Sequence, residues 1–289
     1  MAKLEPYKGG YYLWKYLPSK AAAVIFCLLF VVVTIAYCWR IWKTRAWFCI
    51  PFAIGGFMEF IGYASRAYAH EQTGRLMPFV IQQNYILLAP VLFAASIYMT
   101  LGRIIRSVNG EKYSLVSPKR LTRSFVSGDI LALAVQGGAA GLMVVSQFAK
   151  LAQGILIAGL VLQILFFGLF WATAWMFHVK MRRSPCMGAI PTEVGWEQAL
   201  RMLCGVSALI MGRSIFRLIE FTMGTDGYLL THEWPMYIFD SLPMLAVTVI
   251  FWIWFPSMFR APDNRLTSVT SMNDLVKNPS DGRLEEGLK

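Results

Sequence analysis

Hydropathy divides the chain into seven long apolar stretches: Ala21 to Trp39, Ala46 to Ala64, Pro78 to Leu101, Ser124 to Ser146, Gly154 to His178, Arg201 to Phe221 and Pro235 to Met258. Polar connectors marked by Gly and Pro separate them. Each stretch runs about 20 residues, the length a helix needs to cross a bilayer. None alternates with period two over short segments, so the pattern excludes a membrane barrel and leaves helices as the spanning structure. The fold predicted is all-α, a polytopic membrane protein with seven transmembrane helices over 21–258. An N-terminal tail at 1–20 precedes them. A tail at 259–289, rich in Pro, Asn, Asp, Ser and Gly, comes after them and is expected to be disordered. The first stretch follows a lysine-bearing segment, is too long for a signal-peptide core and ends at Trp39-Arg40 with no small-residue cleavage site, so it is expected to remain as a span.

The polar positions inside these stretches are arranged. In GRSIFRLIEF, Arg213, Arg217 and Glu220 fall at i, i+4 and i+7, which places all three on one narrow helix face. Glu59, Tyr63 and Arg66 share the same spacing at the end of the second stretch. Gln82, Gln83 and Asn84 sit near the start of the third, Asp129 and Gln136 lie seven apart on the fourth, Gln163 is central in the fifth, and Asp240 is near the start of the seventh. An ionisable group at mid-bilayer costs about 2.5 to 3.5 kcal/mol on insertion scales, so such groups turn inward and pair. Three acids, Glu59, Glu220 and Asp240, are thus expected to face three arginines, Arg66, Arg213 and Arg217. Two readings of that balance stay open. One is an ion-pair network that fixes helix register; the other is a polar cavity that holds an amine or zwitterionic headgroup while the apolar tail stays in lipid. Asp129 stands apart, with no basic partner in the spans, and is a candidate proton- or amine-sensing carboxylate.

Composition supports the membrane assignment. Hydrophobic residues make up 57% of the 289 and charged residues 15%, against roughly 25% charged in an average soluble domain. The net charge of +11 does not signal nucleic acid. Most of the 27 Lys and Arg lie in the connectors after the first, third and fifth stretches and in the C-terminal tail, where anionic headgroups attract them. That bias predicts the N-terminus outside and the C-terminus in the cytosol. Against it, Lys3, Lys8, Lys15 and Lys20 would have to be translocated. Cys27, Cys38, Cys49, Cys186 and Cys204 lie in spans or in a cytosolic connector, so no structural disulfide is expected.

Enzyme chemistry lacks its parts. Only three histidines exist, and His178 lies at the opposite side of the membrane from His70 and His232. No Cys/His cluster, G-x-S-x-G elbow or phosphate-binding Gly loop is present. His70 and His232 could ligate a haem or metal, or be hydrogen-bonded loop residues; no cofactor or metal is assigned. The run Gly137-Gly138-Ala139-Ala140-Gly141, and Gly55, Gly56 and Gly62, suggest close helix packing, and Pro90 can kink the third span.

The runs GGFMEFIGYASR, QQNYILLAPVLFAASIYMTLGRIIR, LTRSFVSGDILALAVQGGAAGL, GLVLQILFFGLF and RSIFRLIEFTMGTDGYLLTHEWPMYIFDSLPM resemble the fungal lipid-translocating exporter family. That family includes the aminocholesterol-resistance, sphingoid long-chain-base resistance and protoporphyrin-uptake proteins. The likeness covers Leu13 to Pro256, and the E-x-x-G-Y-x-x-R, G-D-x-x-x-x-x-x-Q and R-x-x-E patterns carry it. In the family the last span often ends in His-Pro-Gly. Here it reads Phe255-Pro256-Ser257, which removes a potential ligand and weakens a porphyrin-specific reading. The resemblance implies a seven-span protein of the plasma membrane or an endomembrane that moves, or confers resistance to, amphipathic lipids and toxic sterol amines without ATP-binding machinery. It also implies charged motif positions at Glu59, Arg66, Asp129, Arg213, Arg217, Glu220, Glu233 and Asp240. The reading adopted is a transporter or flippase-like exporter of cationic or zwitterionic amphiphiles such as sphingoid bases. Its alternative is a seven-span receptor or lipid sensor signalling through the basic Arg103 to Arg123 connector and the C-terminal tail.

Overall fold

The computed structural model describes residues 14, 16–107, 118–142, 148–183, 196–223 and 227–255. Among them the structure is helical, with no strand. The elements are α1 (Lys20–Thr44), a 3₁₀ turn (Trp47–Cys49), α2 (Ile50–Ala69), α3 (Leu76–Ser107), α4 (Pro118–Leu142), α5 (Ala149–Arg183), α6 (Trp196–Thr222), α7 (Tyr228–Thr231), α8 (Trp234–Met236), a π turn (Tyr237–Ser241) and α9 (Leu242–Ile253). The tail expected at 259–289 lies outside the described residues.

Helix boundaries follow local chemistry. Ser19 caps α1, its hydroxyl accepting from the Ala22 N–H at 3.4 Å. At the other end Arg45 takes a left-handed conformation (φ 51) and its N–H returns to Ile41, closing the helix. Pro51 sits in the first turn of α2, where its missing N–H has no helical acceptor to serve.

Among the described residues six helices are long and apolar enough to cross a membrane: Lys20–Thr44, Trp47–Ala69, Leu76–Arg106, Lys150–Met181, Glu197–Thr222 and Trp234–Ile253. The protein is an integral, multi-pass membrane protein. The fourth expected span, Ser124 to Ser146, corresponds to α4, whose described length is not among those six; residues 143–147 lie outside the described residues.

Consecutive helices pack side by side from α1 to α6, α9 closes the bundle between α6 and α1, and α3 runs through its middle against α2, α4 and α6. Of the apolar window of α3, 72% is buried, against 22% for α1, which identifies α3 as the central helix. Polarity is inverted relative to a soluble protein. Val32, Ile25 and Leu28 are exposed while Glu59, Arg66 and Asp240 are buried, the arrangement expected when the surroundings are lipid. The bundle core is rich in aromatics: Phe52 packs on Phe93 and Phe251 with centroids 4.5 and 4.4 Å away, and Tyr98 on Phe170 at 4.4 Å.

The two glycine groups behave differently. A Cβ at Gly55 would lie 2.8 Å from Phe93, and one at Gly62 would lie 2.6 Å from Ile86, so α2 and α3 approach as closely as glycine permits. Gly137 and Gly138 face open space, so close packing accounts for the first group and not for this pair. Cys27, Cys38, Cys49 and Cys204 are free thiols; Cys186 lies outside the described residues.

Candidate functional site

Because α6 turns about 100° per residue, Arg213, Arg217 and Glu220 emerge on one face, and all three are buried. That face meets the π turn at Tyr237–Ser241. A π turn places one extra residue in the helix and rotates the residues beyond it; Pro243, just past the turn, has no N–H to donate. Asp240, fully buried in that turn, bridges both arginines: one carboxylate oxygen pairs with Arg213 Nε and the other with Arg217 Nη2. Arg217 Nη1 also donates to Glu220 Oε2 at 2.9 Å.

Arg213 makes one further bond, and α3 explains it. Pro90 lies inside that helix and has no N–H, so the carbonyl four residues before it, that of Ile86, loses its helical donor. Arg213 Nη2 supplies one instead, at 2.8 Å. Pro90 thus creates an acceptor in the core, and Arg213 ties α6 to it. The helix itself runs through Pro90 without ending.

The α2 triad forms a ladder along its helix. Tyr63 hydrogen-bonds Ser241 within the π turn and stacks on Phe26 and Phe30 at 5.6 and 5.5 Å. Arg66 does not face the acids expected for it. It donates to Glu233 Oε1 at 2.7 Å, to Tyr16 Oη at 3.0 Å and to Tyr237 Oη at 3.1 Å. The rings of Trp14, Tyr16 and Tyr237 surround its guanidinium at 5.5, 5.5 and 5.4 Å, an aromatic box of the kind that holds cations. Glu233 also accepts the Ser19 N–H at 2.9 Å on both oxygens, where a carboxylate suits the positive N-terminal end of α1. The segment before α1 is thereby bound across this end of the bundle. At the same end Lys20, the first residue of α1, donates at 2.5 Å to Glu71, which lies outside the spans, and holds the Glu71 carboxyl below its usual range.

Glu59 is left without a donor. It is 1% exposed, and among the described residues neither of its carboxylate oxygens has a hydrogen-bond partner. The charges of Arg213, Asp240 and Arg217 act on it.

The remaining expected residues divide into separate sites. Asp129 on α4 has a neutral partner: Tyr98 Oη donates to its Oδ2 at 2.7 Å, while Oδ1 is buried and unpartnered among the described residues. Gln136 donates to Gln163 at 3.0 Å, joining α4 to α5, at a level where Gly159 leaves room for the Gln136 side chain. Gln82 is buried with its Oε1 unpartnered among the described residues, Gln83 is half-buried, and Asn84 bonds back to the Val80 carbonyl. His70 sits 2.7 Å from the Pro18 carbonyl and His232 stacks on Tyr228 at 4.0 Å; both are hydrogen-bonded loop residues. Reading residues alone missed Trp14, Tyr16, Tyr98, Tyr237, Ser241 and the Pro90–Ile86 gap. Only the last left a signal, since a proline inside an apolar span always frees a carbonyl one turn earlier.

With this geometry in place, comparison with known proteins gives a consistent answer. The family described as "RTA1 like protein" matches residues 52–262. The chain is 32% identical over 278 residues to the Saccharomyces cerevisiae protein named "Protoporphyrin uptake protein 1", covering 84% of this chain and 91% of the relative. It is also 32% identical to the S. cerevisiae "Protein RTA1", covering 91% and 92%. A third S. cerevisiae relative, "Sphingoid long-chain base transporter RSB1", is 29% identical, covering 77% of this chain and 67% of its own length. No solved structure matches the chain.

Proposed function

The chain belongs to the RTA1-like protein family, and from that membership we propose that it is a transporter of amphipathic lipids with a cationic or zwitterionic head, sphingoid long-chain bases being the class named for one relative. The observation that carries the reading is the cluster of Glu59, Arg213, Arg217, Glu220 and Asp240, all buried inside an apolar bundle. Placing five charged groups in a membrane interior is costly unless they pair, and such groups mark substrate and ion paths. A polar head can exchange into a network of this kind while its alkyl chain stays among the aromatic and aliphatic walls of the bundle.

The remaining topology belongs to the same proposal. Seven spans with α4 as the fourth, the N-terminus outside and the C-terminus in the cytosol fit the distribution of Lys and Arg along the sequence. In that orientation the Arg66 end faces outward, and its aromatic box with the bound segment before α1 forms the outer closure of the path. Residues 1–20 are then the outer tail, 21–258 the transmembrane domain and 259–289 a cytosolic tail. No catalytic set is assigned.

The test is flux. Proteoliposomes holding the purified full chain should move a fluorescent long-chain sphingoid base between leaflets faster than empty liposomes do. Saturable binding with no flux above empty liposomes would contradict transport and point to a receptor.

A further inference from the structure

We propose that Glu59 carries the exchangeable positive charge of this site: a proton when the site is empty, replaced by the ammonium head of a cationic amphiphile when it is loaded. The inference rests on the transporter reading and adds its exchange partner and its residue.

Charge balance leads to it. Arg213 and Arg217 are the cations of the cluster, and Asp240 and Glu220 already pair with them. Arg66 is taken by Glu233 and its aromatic box. Glu59 is the third acid, so with every carboxylate ionised the cluster is one cation short. It is also the acid whose two oxygens both lack a donor. A buried, unpaired carboxylate is far costlier than a neutral acid or an ion pair, so Glu59 is stable only while it holds a positive charge.

Among the described residues nothing else around Glu59 supplies that charge. Among the described residues the charged and titratable groups that act with it are Arg213 and Arg217 on α6, Asp240 in the π turn and Tyr63 on its own helix. α1 carries no charged residue between Lys20 and Arg40, and α3 carries none before Arg103. Asp129 is a poorer candidate for exchange, because Tyr98 already donates to it.

The exchange balances. The Glu59 carboxylic acid gives its proton to water and becomes a carboxylate; the incoming ammonium, which keeps its own charge, pairs with that carboxylate. The cluster is neutral before and after, so neither state leaves a net charge in the membrane interior. One proton leaves for each cationic head that enters.

The test uses a ligand that has no proton to lose. Purified full chain in weakly buffered detergent solution near neutral pH is titrated with hexadecyltrimethylammonium, and bound ligand and released protons are both measured. Wild type should release about one proton per ligand bound. Glu59→Gln, which leaves the ammonium without its carboxylate, should bind more weakly and without release, Glu59→Asp should restore release, and Glu71→Gln, a surface control, should match wild type. The infrared band of a protonated carboxylic acid should be present in the empty wild type, shift in Glu59→Asp and vanish on binding, which decides the matter if Glu59→Gln does not fold. Binding without proton release by wild type, or release undiminished in Glu59→Gln, overturns the exchange while leaving lipid binding intact. Absence of any saturable binding by wild type overturns the amphiphile reading and the exchange with it.

Discussion

Arg213 donates to the backbone carbonyl of Ile86 at 2.8 Å, and Ile86 is the residue whose helical donor Pro90 removes. A buried carbonyl without a donor costs about 1 to 3 kcal/mol, so the arginine and the proline are coupled through that carbonyl. Arg213→Met should therefore destabilise the protein less in a Pro90→Ala background, where the backbone N–H restored at that position serves Ile86. A double-mutant cycle on thermal unfolding should show a coupling of about 1 to 3 kcal/mol; additive effects would contradict the assignment.

Asp240 and Glu220 are both buried acids on Arg217, yet they are not equivalent. Asp240 serves Arg213 as well. Asp240→Asn leaves two arginines short and should cost about 3 to 5 kcal/mol, the range for breaking a buried pair. Glu220→Gln keeps Arg217 on Asp240 and should cost clearly less. Unfolding midpoints of the two variants in one detergent would rank them.

Six of the seven expected spans were legible in the sequence because a bilayer demands about 20 apolar residues and the chain supplies them in blocks. The α6 strip was legible for a related reason: insertion cost forces Arg213, Arg217 and Glu220 inward, and helical spacing sets their common face. Partners across helices were not. Spacing along α2 gives Arg66 no reason to choose Glu233 over Glu59, since that choice depends on where the segment before α1 folds. Tyr98, Tyr16 and Tyr237 left no trace because tyrosine suits a lipid interface, an apolar core and a hydrogen bond equally well. The π turn that aims Asp240 is a backbone irregularity with no sequence period of its own.

Tyr98 and Asp129 separate stability from function on α4. Tyr98→Phe removes the one donor to Asp129 among the described residues and should destabilise by about 1 to 3 kcal/mol. Asp129→Asn keeps an acceptor for the Tyr98 hydroxyl and should leave the unfolding midpoint nearly unchanged. Flux that fell in Asp129→Asn at unchanged stability would give this carboxylate a direct part in transport.

Glycine replacements should divide along the same line as the packing. Gly55→Ala and Gly62→Ala drive a methyl into Phe93 and Ile86 and should cost about 1 to 3 kcal/mol. Gly137→Ala meets nothing among the described residues and should be neutral or stabilising by up to about 1 kcal/mol. Marked destabilisation by Gly137→Ala would instead show that this face is packed in the membrane.

The most direct test of the buried cluster as the transport path is the initial rate of long-chain base movement in proteoliposomes containing Glu59→Gln. Glutamine matches the size and neutrality of the protonated acid, so the fold should hold and the unfolding midpoint should stay with wild type. The rate should fall on the order of tenfold or more, equivalent to about 1.4 kcal/mol or more in the barrier, while the surface control Glu71→Gln keeps the wild-type rate. A folded Glu59→Gln protein that moves the lipid as fast as wild type would contradict the account.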